Sequence, residues 1–208
     1  MLLVPASGDP PPDGAIDQAV KALGRGQLIV LPTDTVYGIA ADPFRTGATD
    51  RVFAVKRRSR DLELPVLVAD VDDALSLAEG VPAVALELMD RFWPGALTIV
   101  LPRRPDLDAD LGSDDATIGV RCPDHPVPRA LCRAVGPLAT TSANLSGEDT
   151  PPTAAAAAEM LGDGIALVLD AGLCEGSPST VVDCTGSAVK LLREGRIPWP
   201  EIEAHLST

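Results

Sequence analysis

The chain has 208 residues, 46% of them hydrophobic and 23% charged, with a net charge of −13; this balance fits neither a membrane-spanning nor a disordered protein and leaves a soluble globular enzyme or binding domain. The acidic excess argues against a broad electrostatic grip on nucleic acid, because neutralisation of phosphates by Lys and Arg supplies most non-specific affinity. Positive residues nevertheless gather at Lys56, Arg57, Arg58 and Arg60, at Arg103 and Arg104, and among Arg121, Arg129 and Arg133, so local sites for a small phosphorylated ligand are expected.

The opening Met1-Leu2-Leu3-Val4-Pro5 has no basic n-region and breaks too early for a secretory h-region. No stretch approaches the roughly 18 apolar residues that span a bilayer, and a cytoplasmic location without membrane contact is expected. A Pro- and Asp-rich leader at 8–14 precedes a first helix with Ile16, Val20 and Leu23 on one face and a stop at Gly24. Leu28-Ile29-Val30-Leu31 reads as a strand that ends in the polar turn Thr33-Asp34-Thr35. Thr49 and Asp50 are placed to cap a second helix that runs through Val52, Phe53 and Val55 to the basic cluster at Lys56.

Further on, residues 65–69 form an apolar strand, 71–79 and 82–92 two helices stopped near Pro94, and 96–101 another strand. Residues 103–116 are a charged loop, followed by short strands at 117–121, 138–141, 165–169, 180–183 and 189–192, with helices at 127–135 and 153–161. Thr153 caps the second of these, whose alanine run is a plain helix former. Strand pairs mixed with strand-helix alternation predict an α/β fold, α+β in stricter schemes, with one mixed sheet and covering helices in a single domain over 1–208. No repeat or linker marks a second domain.

Cys122, Cys132, Cys174 and Cys184 have no C-x-x-C spacing, and His125 and His205 stand apart; zinc and triad hydrolase chemistry lack support, and the thiols read as small hydrophobes. Neither a P-loop nor a dinucleotide fingerprint is present. Polar groups instead gather at strand ends, where ligands of open sheets bind. They are Thr33-Asp34-Thr35, Arg121, the run Thr140-Thr141-Ser142-Ala143-Asn144, Ser179-Thr180 and Arg193. Singly each is more often local hydrogen bonding or a solvated charge; a rival reading of Arg121 and Arg193 pairs them with surface acids such as Asp124 and Glu194. Together they describe hydroxyl, amide and guanidinium groups suited to a carboxylate and a phosphate chain, with Lys56 and Arg58 as fixed positive charge.

Five motifs in order, Leu31-Pro32-Thr33-Asp34-Thr35-Val36-Tyr37-Gly38, Lys56-Arg57-Arg58, Thr117-Ile118-Gly119-Val120-Arg121-Cys122-Pro123, Thr141-Ser142-Ala143-Asn144-Leu145-Ser146-Gly147 and Ser179-Thr180-Val181-Val182-Asp183, resemble those of YrdC-like threonylcarbamoyl-AMP synthases. The motif-bearing core covers about 15–197. Ser59 and Ala69 depart from the residues common in that family, Pro and His.

The resemblance implies a twisted mixed sheet around a large concave positive cavity, and an enzyme that condenses L-threonine, bicarbonate and ATP to threonylcarbamoyl-AMP with release of pyrophosphate. Such an enzyme is a nucleotidyltransferase serving N6-threonylcarbamoyladenosine formation in tRNA. It also implies that Thr35, Arg121, Thr140 and Ser179 contact threonine and that Arg58, Thr117, Ser142, Thr150 and Arg193 contact ATP. Lys56 and Asn144 complete the Lys-x-Arg and Ser-x-Asn signature, Lys56 and Arg58 acting in catalysis, with Mg2+ entering on ATP. Its expected partner is a threonylcarbamoyl transferase complex, with weak tRNA binding. Two alternatives are an RNA-binding module and a paralogous enzyme with the same cavity and another substrate.

Overall fold

The computed structural model describes residues 1–112, 116–174 and 176–207, so positions 113–115 of the expected charged loop lie outside the described residues. Ten strands form one mixed sheet: β1 (Leu2–Pro5), β2 (Leu28–Leu31), β3 (Gly38–Ala41), β4 (Val66–Leu67), β5 (Leu97–Pro102), β6 (Thr117–Arg121), β7 (Leu138–Ser142), β8 (Ile165–Asp170), β9 (Thr180–Asp183) and β10 (Lys190–Arg193). Their order across the sheet is β1-β8-β2-β3-β7-β4-β6-β5-β9-β10. The described helices are α1 (Asp13–Gly24), α2 (Ala48–Lys56), α3 (Val71–Leu77), α4 (Ala83–Phe92), α5 (Pro126–Val135), α6 (Ala154–Leu161) and α7 (Trp199–Leu206). None is long and apolar enough to cross a membrane.

The expected strands and helices are present, with β1, β3 and α7 added. Local capping differs at α2. Its N-cap is Gly47, at φ 74°, and no side chain caps it; Thr49 Oγ1 instead donates to Asp110 at 2.9 Å, and Asp50 is engaged by Arg60. Tertiary partners have taken both expected caps. Thr153 does cap α6, its hydroxyl accepting from the Ala156 N–H at 3.2 Å. In α1 the face against the sheet is built from Ala15, Ala19, Ala22 and Leu23, while Ile16 and Val20 pack at its margin. Alanines let this helix approach closely.

Strand register sorts the side chains into two faces, since neighbours paired across a sheet point the same way and successive residues alternate. Pairs such as Val66 with Val120, Ile99 with Val120 and Ile99 with Val182 put Ile39, Val66, Ile99, Ile118, Val120 and Val182 on one face. There they form the larger core with residues of α2, α3, α4, α6 and α7. The other face is divided. Toward β8 and β2, Ile29, Leu31, Leu167 and Leu169 are covered by α1 and α5 in a second core. Toward β6, β5 and β9 the same face carries Thr117, Gly119, Arg121, Thr98 and Val181, and among the described residues the second core does not extend over it.

The cysteines behave as small hydrophobes: all four are free, and Cys122, Cys132 and Cys184 are buried. Burial pushes the Cys122 and Cys184 thiols up to about 11.

Candidate active site

The open half of the sheet holds a cavity of about 130 Å³ into which Thr33, Thr35, Arg58, Arg121, Thr140, Ser142, Ser179 and Arg193 all face. A second hollow of about 260 Å³ shares Arg58, Pro65, Thr98, Ser179 and Arg193 with the first and adds Glu63, Val100, Gly119 and Val181. The site is thus two adjoining lobes with a common polar wall. Gly38 must lack a side chain here, because a Cβ would stand 2.8 Å from Cγ2 of Thr140. Gly119 differs: a Cβ would reach Pro65 at 3.5 Å and Thr98 at 3.6 Å, ordinary contacts, so its bareness leaves room in the second lobe.

The turn after β2 is shaped by Thr33, whose Oγ1 accepts from the N–H groups of Thr35 and Val36, each at 3.1 Å, and donates to the Val36 carbonyl at 2.6 Å. Hydroxyl-to-backbone bonds of this kind replace the ladder where a strand stops. Tyr37 fastens the turn from below by donating to the Gly172 carbonyl at 2.7 Å, and burial pushes its phenol up to about 12.

Arg121 stands at the C-terminal end of β6 and donates from Nε to the Gly95 carbonyl at 2.9 Å, from one terminal nitrogen to Thr35 Oγ1 at 2.9 Å, and from the other to Asp34 Oδ1 at 2.6 Å. The rival reading offered Asp124 or Glu194 as an acid partner; among the described residues the acid is Asp34, whose side chain is 14% exposed against 7% for Arg121. Of five guanidinium donors, three are engaged among the described residues, leaving one N–H on each terminal nitrogen for a ligand.

Arg193 and Arg58 form no ion pair among the described residues. Arg193 is held by the Ser179 carbonyl at 2.9 Å, and Arg58 by the carbonyls of Leu62 at 3.1 Å and Glu63 at 3.0 Å. Burial works against the charge of each, and each feels a further cation, Arg58 that of Arg193 and Arg193 that of Arg121. Three guanidiniums gathered around one hollow, with Asp34 held by Arg121 and Glu63 lining the second lobe, make an anion site.

The structure therefore brings together Thr35, Arg58, Arg121, Thr140, Ser142, Ser179 and Arg193. Lys56 and Asn144 lie directly behind the wall, the Lys56 Nζ donating to the Ser142 carbonyl at 2.5 Å and the Asn144 carbonyl at 2.6 Å. Burial, then the charge of Arg58, pushes the Lys56 ammonium down to about 8. Thr117 shares the open face but sits at the far end of β6, paired with Pro102, and Thr150 lies on the connection before α6; neither lines the two lobes. Thr98 was not singled out from the sequence, yet its hydroxyl lies 2.8 Å from Ser179 Oγ at the junction of the lobes. A lone Thr within Leu97-Thr98-Ile99-Val100-Leu101 was its only signal. Arg196 was also missed; it donates to the Asp34 carbonyl and closes the turn from outside.

The sequence and the fold are similar to those of known proteins. The family model described as "Telomere recombination" (Sua5, YciO, YrdC) matches residues 21–195. The chain belongs to the Sua5/YciO/YrdC family. Within it, a Mycobacterium tuberculosis relative that carries the threonylcarbamoyl-AMP synthase name provisionally is 45% identical over 188 residues, 90% of this chain and 87% of its own. The threonylcarbamoyl-AMP synthase of Bacillus subtilis is 40% identical over 92% of this chain. The structure of Pyrococcus abyssi Sua5 complexed with L-threonine superposes with a TM-score of 0.90 at 32% identity over 99% of this chain. The chain spans 56% of the Bacillus protein and 61% of the Pyrococcus one. Membership thus rests on the whole motif-bearing core.

Proposed function

We propose that this protein is an L-threonylcarbamoyladenylate synthase, a nucleotidyltransferase that joins L-threonine, bicarbonate and ATP and releases pyrophosphate, as the first step of N6-threonylcarbamoyladenosine formation in tRNA. The observation that carries this reading is the pair of adjoining lobes with a shared wall of Arg58, Ser179 and Arg193. Two anionic substrates can lie side by side there and meet at the wall. Relatives bearing the synthase name and a family member complexed with L-threonine support it.

In this reading the first lobe takes threonine. The two remaining N–H groups of Arg121 grip its carboxylate, with Thr35, Thr140 and Ser179 supplying hydroxyls. Arg58, Arg193 and Ser142 meet the phosphate chain, and Thr117 and Thr150 await contact with the rest of the nucleotide.

Bicarbonate loses water to give CO2, and the threonine amine adds to it and releases a proton to solvent to form a carbamate. A carbamate oxygen then attacks the α-phosphorus as the bond to the bridging oxygen breaks and pyrophosphate departs. No side chain need become a covalent nucleophile: the protein aligns the reactants and neutralises charge. Magnesium enters with ATP as part of the nucleotide substrate, held chiefly by phosphate oxygens and water. A threonylcarbamoyl transferase complex would take the product to tRNA, and the −13 charge makes any direct tRNA contact weak and salt-sensitive.

Pyrophosphate release that requires threonine and bicarbonate together, with threonylcarbamoyl-AMP identified by mass, is the expected result. Release without threonine, or with another acceptor preferred, would overturn the assignment.

A further inference from the structure

The Lys-x-Arg and Ser-x-Asn pairs are not four equal members of the site. Arg57, between Lys56 and Arg58, caps α2 at φ 52° and is the only residue other than glycine with positive φ among those described. That left-handed step is unfavourable for a side chain, and it sends its two neighbours apart. Arg58 enters the cavity, while Lys56, the last residue of the helix, is 2% exposed.

All three ammonium donors of Lys56 are then accounted for, by the Ser142 carbonyl, the Asn144 carbonyl and, at 3.2 Å, Asn144 Oδ1. Its own carbonyl accepts from the Ser146 N–H at 3.0 Å. Asn144 is equally occupied: Oδ1 also accepts from Ser142 Oγ, and Nδ2 donates to the carbonyls of Leu145 at 2.9 Å and Glu148 at 2.6 Å. Neither residue lines a lobe of the cavity, whereas Arg58 and Ser142 do. Each signature pair thus contributes one side chain to the cavity and one to the scaffold behind it.

We infer that Lys56 is a positioning residue: it acts on the phosphate chain through the turn at 142–144 that it and Asn144 hold, and does not itself touch the nucleotide. This rests on the synthase reading for the identity of the ligand. A buried cation tied to three acceptors of one turn fixes that turn more tightly than a neutral side chain could. Removing Lys56 or Asn144 should then release the same turn, and the two losses should overlap, because residues that act through one element are not independent.

The test is calorimetric titration of magnesium-ATP and of L-threonine into the protein and its variants. Lys56→Met and Asn144→Ala are each expected to weaken ATP binding about tenfold, and the double variant to be no more than about threefold worse than the poorer single. Lys56→Met combined with Arg58→Ala should multiply the separate losses. Threonine affinity should stay within about twofold, which general unfolding would not allow.

In the unaltered protein labelled with 15N-lysine, the Lys56 ammonium resonance should keep its position when ATP binds. That measurement decides the matter even if Lys56→Met does not fold. A large ATP-dependent shift of this resonance, multiplicative losses for Lys56→Met with Asn144→Ala, or equal loss of threonine binding would each overturn the inference. Absence of ATP binding to the unaltered protein would instead overturn the synthase reading.

Discussion

One face of the sheet is used in two opposite ways. Over β8 and β2 it presents Ile29, Leu31, Leu167 and Leu169 to the helices α1 and α5. Over β7, β6, β5 and β9 the same alternation presents Thr140, Ser142, Gly119, Arg121, Thr98 and Ser179 to a cavity. The backbone pattern is continuous, so the difference lies in side chains alone. Branched apolar groups recruit a helix, because covering them removes apolar surface from water. Small hydroxyls, bare glycine and guanidiniums do not. A site was left open where nothing rewards closing it, and the covered half supplies the rigidity that holds it.

The sharpest way to break this contrast is Arg121→Ala, which joins both roles. It strands Asp34 without its partner, so a loss of about 3–5 kcal/mol in stability is expected, along with a rise of about ten- to a hundredfold in the apparent constant for threonine. Asp34→Asn in the same chain should recover much of the melting temperature and none of the threonine binding. Recovery of both would place Arg121 outside the site.

Next comes Leu131→Ala, in α5 of the covered half, where the side chain is fully buried. About 2–5 kcal/mol should be lost, read by denaturant melts, while ligand affinities in the still-folded protein stay unchanged. Altered affinity would mean that the two halves are coupled.

Arg193→Ala is the mirror case. Held by Ser179 and without a carboxylate partner among the described residues, it should cost about 1.5–3 kcal/mol of ATP binding and little or no stability. Isothermal titration of ATP beside a melting curve separates the two.

The smallest effect is the pH response of Lys56. Its pKa is about 8 when folded against an unperturbed 10.5, so between these values the unfolded chain binds more protons than the folded one. Its contribution to stability therefore rises with pH across that window and is lost as pH falls through 8. ATP affinity, which needs the ammonium to hold the turn, should fall over the same range. Parallel pH trends in stability and affinity would contradict this.

Much of the fold was legible because β2, β5, β6 and β8 are dense in Leu, Ile and Val, α5 carries an apolar period, and α6 is an alanine run behind the cap Thr153. Gly38-Ile39-Ala40-Ala41 escaped notice because glycine and alanine are poor strand formers, and only pairing between β2 and β7 makes a strand of them. The cavity-lining residues could be read from polar groups at strand ends. What could not be read was direction. The burial of Lys56 follows from one left-handed residue, and the partner of Arg121 follows from a turn 87 positions away in the chain. Both are tertiary facts without a local signature.

The strict alternation along β6 also limits how this protein can be varied by inheritance or by design. Loss or gain of one residue within Thr117–Arg121 would invert the whole row, turning Ile118 and Val120 into the cavity and driving Arg121 into the apolar core. Single substitutions there are graded, but a frame of one codon is all or nothing. Length change is therefore expected to accumulate in the connections between strands, and libraries that recombine this sheet should keep every crossover outside the strands that line it.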